Sequence, residues 1–199
     1  MNNKLILTEY CLLNIDENQI RELSETDVSK PFILKDRLLQ KANVKNYNGR
    51  IYPREVLMRE VQKYSQLVKE RRALGELDHP DSPVVELKNV SHLITNIYSD
   101  GDDVRGDIEI LNTPQGKTLR EIILHKVKIG VSSRGLGSLR EESNSNIVQD
   151  DFELIAFDAV SSPSTPGAYL VTEGRIRNVD KFNGLRSVLY DILKDSYFR

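Results

Sequence analysis

With three histidines and one cysteine, the chain has few ways to do chemistry. His79, His92 and His125 lie far apart, and none forms a His-x-x-x-His or Glu-x-x-His pair, so the sequence presents no zinc or di-iron site and calls for no cofactor. Cys11 stands in a strand-like run with no base near it in sequence and reads as a packing residue. The stretch Gly130-Val131-Ser132-Ser133-Arg134-Gly135-Leu136-Gly137-Ser138 lacks the lysine and the spacing of a phosphate-binding loop. Read as a nucleophile site, it puts a hydroxyl at the end of a buried strand, with free amides in the following loop to stabilise an oxyanion. The plainer reading is a serine pair in a tight bend.

Two further residues fit such a site. His79, in Leu74-Gly75-Glu76-Leu77-Asp78-His79-Pro80, follows a helix and is braced by Gly and Pro, which suits a general base as well as an exposed turn histidine. Asp158, in Ile155-Ala156-Phe157-Asp158-Ala159-Val160-Ser161, is a carboxylate in an apolar strand and requires a partner, whether an imidazole, an arginine or backbone amides. Arg134 suits either a role in organising the serine loop or a surface pairing with Glu141 or Glu142.

The elements that must position these groups are legible in outline. Lys4 to Cys11 reads as an edge strand and Phe32 to Ala42 as a second strand, followed by a turn at Asn48-Gly49. Pro53 opens a helix whose stripe Leu57, Val61, Tyr64, Val68 ends before Gly75. Val90 to Tyr98 and Val104 to Leu111 form a hairpin around Ser99-Asp100-Gly101-Asp102-Asp103. Leu119, Ile122 and Ile123 carry helical spacing ahead of a strand from Val127 to Val131. A polar loop over 141–146 leads to a strand from Phe152 to Val160, and a helix is predicted from Val179 to Tyr197. The sum is a β-rich α+β core with three helices around it.

Composition narrows the function classes. The 199 residues suit one domain, and 39% hydrophobic residues in clusters are enough for a core. Lys plus Arg number 28 against 30 for Asp plus Glu, a balance that does not recruit nucleic acid. A single cysteine excludes a disulfide scaffold, no apolar run approaches membrane-spanning length, and the start lacks a secretory cleavage pattern. A soluble, intracellular protein is expected.

Taken together, Gly75 to Pro80, Val90-Ser91-His92, Gly116, Gly130 to Gly135 and Phe157 to Ser164 resemble the prohead core proteases of large tailed bacteriophages, as does the upstream Asn46-Tyr47-Asn48-Gly49-Arg50-Ile51-Tyr52-Pro53. The resemblance spans roughly positions 32 to 170, and the order of the motifs carries it. It implies a capsid-maturation serine endopeptidase similar in fold to herpesvirus assemblins, a single β-barrel surrounded by helices. On the matching positions His79 would be the general base and Ser132 the nucleophile, with Ser133 its rival. Asp158 would be the third member, where assemblins use a second histidine, and Glu153 and His92 are the alternatives. Amides around Arg134 and Gly135 would hold the oxyanion.

The resemblance also implies cleavage after glutamate. Val171-Thr172-Glu173-Gly174 fits such a site, which would make residues 1–173 the protease core and 174–199 a helical segment removed by self-cleavage, with the uncut chain a zymogen. Substrates would be prohead scaffold and capsid proteins, the location the prohead interior within the bacterial host cytoplasm, with self-association as a means of control. The competing class is a non-catalytic scaffold or core assembly protein of the prohead. A small-molecule hydrolase is disfavoured by the lack of a Gly-x-Ser-x-Gly elbow.

Overall fold

A computed structural model describes residues 4–27, 29–80 and 82–161. In chain order the elements are β1 (Leu5–Leu12), α1 (Glu17–Glu25), β2 (Phe32–Lys41), β3 (Arg50–Ile51), α2 (Arg54–Lys69), β4 (Leu74–Glu76), β5 (Val90–Asp100), β6 (Asp103–Ile110), α3 (Pro114–Leu124), β7 (Gly130–Gly137), β8 (Leu139–Glu142), β9 (Ser145–Val148) and β10 (Glu153–Val160). No helix among the described residues is long and apolar enough to cross a membrane.

The local chemistry explains most of these elements. Pro53 stands at the N-cap of α2, and the stripe Leu57, Val61, Tyr64 turns inward while Lys69 occupies the last turn. Gly101, at φ 57°, turns the β5–β6 hairpin. Helix α1 escapes an apolar-periodicity reading because Leu23 is its one buried side chain, and its signal lies in the cap instead. Asp16 Oδ1 accepts from Gln19 N at 2.9 Å and Gln19 Oε1 accepts from Asp16 N at 3.2 Å, a reciprocal capping box. The helix expected from Val179 to Tyr197 and the Glu173–Gly174 cleavage site lie outside the described residues.

Two expectations about the serine region are corrected. The strand begins at Gly130, not Val127, and runs through Gly137, so Arg134 and Gly135 are strand residues and not part of a loop. Its glycines serve packing. A Cβ on Gly130 would come within 2.0 Å of the Tyr10 ring, and one on Gly135 within 2.4 Å of Phe152. The polar stretch after it is likewise no loop: β8 and β9 form a hairpin, and β9 pairs in parallel with β3.

The strands form sheets of order β1-β7-β10, β2-β6-β5-β4 and β3-β9-β8. A parallel bridge between Leu77 and Ala159, with Asp78 N donating to Ala159 O at 2.8 Å, links the first two sheets where β4 meets β10. The resulting ring β1-β7-β10-β4-β5-β6-β2 stays open, since β1 and β2 lie side by side without a ladder. The fold is α+β and strand-rich, and no closed barrel forms among the described residues. Leu7, Val131, Phe157 and Ala159 line the inner face of the first sheet, and Tyr64 of α2 meets Phe157 edge to face at 5.4 Å.

Candidate active site

Because β7 is flanked on both sides, its register decides what surrounds each serine. Ser132 pairs with Tyr10 and Asp158, while Ser133 pairs with Glu9 and Phe157. Directly paired residues share a face, and successive residues alternate, so Ser132 and Asp158 lie together on one face and Ser133 turns toward the core. The Ser133 hydroxyl is buried there and finds no hydrogen-bond partner among the described residues.

His79 reaches Ser132 from the end of β4. Beyond the Leu77 bridge, Asp78 adopts φ 65°, a left-handed conformation that aspartate tolerates better than most residues, and the chain turns His79 over β7. His79 Nε2 lies 2.7 Å from Ser132 Oγ, and its Nδ1 lies 2.8 Å from Asp158 Oδ2. A carboxylate only accepts, so Nδ1 carries a proton, and in the neutral imidazole Nε2 presents its lone pair to the hydroxyl.

Asp158 is held from several sides. Glu76 N donates to Oδ1 at 3.1 Å, and Arg134 donates from Nε to Oδ2 at 2.7 Å and from Nη2 to Oδ1 at 3.3 Å. Burial alone pushes this carboxyl up, yet the bonds from His79 and Arg134 and the guanidinium charge outweigh it and hold the group below the usual carboxylate range. Arg134, Glu76 and Asp158 are each 0% exposed, and Arg134 also bonds the Glu76 carboxylate and the Ser82 carbonyl, the latter at 2.6 Å.

The sequence-predicted residues therefore divide. His79, Ser132 and Asp158 are brought together. Arg134 is in the same network, but as an ion-pair partner of Asp158 and Glu76, not as a surface residue near Glu141 or Glu142. The amides of Arg134 and Gly135 lie in a strand paired on both sides, which removes the loop that was to offer them to an oxyanion. His92 is buried and bonds elsewhere, with Nδ1 at 2.8 Å from Ser91 Oγ and Nε2 donating to Phe157 O at 2.9 Å, and burial pushes its imidazole down against the pull of the Asp158 charge. Glu153 pairs with Lys4 at 2.6 Å, Cys11 is buried in β1, and His125 caps the end of α3.

Two carboxylates escape a reading of sequence alone. Glu76 is one. Glu9 is the other, opposite Ser133 on β1, and it explains the Asn46 to Pro53 motif as a cage. Asn48 Nδ2, Arg50 Nη1 and the Tyr52 hydroxyl each donate to it at 2.9 Å, and Asn46 adds a fourth bond. Burial pushes the Glu9 carboxyl up, against the pull of Arg50, Asn48 and Tyr52. The donors were visible as a motif, but their common acceptor lies 37 positions upstream of the first of them.

A hydroxyl, an imidazole and a buried carboxylate in series have the geometry that serine hydrolases use for acyl transfer. Residues 14–179 match the family described as prohead core protein serine protease. The prohead core protein protease of Enterobacteria phage T4 is 33% identical over 161 residues, spanning 76% of this chain and 76% of that protein. The solved structure of the bacteriophage T4 capsid assembly protease shares the fold, with a TM-score of 0.67 and 25% identity over 81% of this chain and 100% of that one. The chain belongs to the prohead core protein serine protease family.

Proposed function

We propose that this protein is a serine endopeptidase of prohead maturation, with Ser132 as nucleophile, His79 as general base and Asp158 as the group that orients the imidazole. The observation that carries the reading is the continuous series Ser132 Oγ, His79 Nε2, His79 Nδ1, Asp158 Oδ2, at 2.7 and 2.8 Å. In this mechanism Ser132 attacks a peptide carbonyl as His79 takes its proton, and the imidazolium then protonates the leaving amine. Water repeats the sequence on the acyl-enzyme, while Asp158 keeps Nδ1 protonated throughout.

The substrates in this reading are scaffold and capsid proteins inside the prohead, cut after glutamate. The chain's own Val171-Thr172-Glu173-Gly174 is one such site, and its cleavage would separate residues 174–199 from a core of 1–173. The assignment to prohead proteins rests on the family and on the T4 relatives named above. Intact mass followed over time for the purified chain and for Ser132→Ala tests both parts. Loss of the segment after Glu173 in the parent alone is expected. Trimming at equal rates in both proteins would contradict the nucleophile assignment, and an inert parent that also leaves glutamate-containing capsid or scaffold peptides intact would favour a non-catalytic assembly role.

A further inference from the structure

Asp158 Oδ2 is shared. It faces His79 Nδ1 at 2.8 Å and accepts from Arg134 Nε at 2.7 Å, so the carboxylate serves an imidazole and a permanently charged guanidinium at once. The outer edge of that guanidinium is in turn bonded to Glu76, whose other oxygen accepts from Glu86 N at 3.1 Å. We propose that Glu76 and Arg134 are positioning residues that set the pH range in which His79 can act, Arg134 by drawing the Asp158 charge away from the imidazole and Glu76 by offsetting part of that pull. The inference rests on the reading of Ser132, His79 and Asp158 as the reacting series.

The geometry gives the pair two tasks. One is mechanical. The backbone on either side of His79 is pinned by Asp78 N on Ala159 O, by Arg134 Nη1 on Ser82 O and by Glu86 N on Glu76 Oε1. The buried ion pair therefore holds the segment that carries the base. The other task is electrostatic. An isolated carboxylate beside an imidazole strongly favours the imidazolium, which is useless as a base, whereas a carboxylate half-neutralised by arginine favours it less.

Among the described residues, an exposed ion pair, Lys88 to Glu86 at 2.8 Å, lies beside Glu76, and Lys88 feels the Glu76 charge. From β5 comes His92, pushed down by burial, with one ring nitrogen facing a hydroxyl and the other a carbonyl; from α2 comes the buried phenol of Tyr64. Of the described charges, those bonded within this cluster are the Asp158 and Glu76 carboxylates and the Arg134 guanidinium, with the Lys88–Glu86 pair outside them and mutually offsetting. Buried charges are costly to keep, and apolar residues of similar volume would pack the same space at lower desolvation cost. Arg134 and Glu76 converge instead on Asp158.

The test is the rate at which a fluorophosphonate probe labels Ser132 in the full chain, measured against pH. Glu76→Gln removes a negative charge and is expected to move the midpoint about half to one pH unit lower; Arg134→Gln removes a positive charge and is expected to move it upward by a similar amount. Arg134→Lys, which restores the charge, should return it toward the parent. Loosening of the site without an electrostatic role would shift both neutralising variants in the same direction, and that result, or no shift in either, would overturn the proposal. If Arg134→Gln does not fold, Glu76→Gln and Arg134→Lys decide: a lowered midpoint in the first with a near-parental one in the second supports the proposal, and an unmoved midpoint in the first overturns it. If the parent is not labelled at Ser132, the protease reading fails by itself. The proposal is then read from the titration of the His79 ring protons by NMR, where the same opposed shifts support it and their absence overturns it.

Discussion

Ser132 and Asp158 stand directly opposite each other across the β7–β10 ladder, and a bulge between Leu154 and Ala156 sets that pairing. Before the bulge Leu154 faces Gly135; carried on without the shift, the ladder would place Phe157 opposite Ser132 and turn the acid to the other face. The bulge thus puts hydroxyl and carboxylate on one face, and His79 bridges them from β4.

Substituting the two adjacent serines separates their roles. Ser132→Ala should reduce peptide cleavage to background. Ser133→Ala should leave it within a few-fold and keep or slightly raise the melting temperature, because the buried Ser133 hydroxyl has no hydrogen-bond partner among the described residues to lose. Cleavage assays and thermal melts on the two variants check both statements.

Asp158→Asn should lower kcat/KM by about 10³- to 10⁴-fold, since the amide no longer fixes the productive tautomer. It should also cost on the order of 3 kcal/mol at neutral pH by leaving Arg134 short of a charge partner. The folded carboxyl is held below its ordinary value of 3.8, so its contribution to stability is present above that value and lost as pH falls through the lower, folded one. Denaturant midpoints of parent and variant should differ most at pH 7 and converge in strong acid.

Gly75→Ala should destabilise the fold severely. Its Cβ would lie 2.1 Å from His92 Nε2 and 2.3 Å from the Phe157 carbonyl oxygen, and the second neighbour is backbone that cannot swing aside. Soluble yield and chemical denaturation read the loss, which should exceed that of Gly101→Ala, where the added methyl meets only open space and the strain of φ 57°.

Tyr52→Phe removes one donor from the buried Glu9 carboxylate and should cost about 1–3 kcal/mol. The Glu9 carboxyl is raised from 4.5, so the stability linked to it is full below that value and is lost as pH rises through the higher, folded one. The stability of the parent relative to Glu9→Gln should therefore be greater near pH 4 than at pH 7, as denaturant titrations at the two pH values would record.

How much of this was legible in the sequence depended on whether the signal was local. The α2 stripe, the β5–β6 hairpin and the isolated Asp158 in an apolar strand stand out because each pattern is complete within a few residues. The serine stretch misled because its glycines look like a loop, whereas they accommodate the rings of Tyr10 and Phe152, which arrive from other strands. Periodicity could not find α1, whose marker was the Asp16–Gln19 cap. Likewise Glu76 and Glu9 are charged residues in short runs, and only the partners that converge on them in space mark them as buried.

The most direct measurement is the site at which the fluorophosphonate attaches, mapped by tandem mass spectrometry in the parent, in Ser132→Ala and in His79→Ala. The Ser132–His79–Asp158 series predicts a single adduct on Ser132, none in Ser132→Ala, and labelling slowed by orders of magnitude in His79→Ala. An adduct on Ser133, or labelling that persists undiminished in Ser132→Ala, would contradict it.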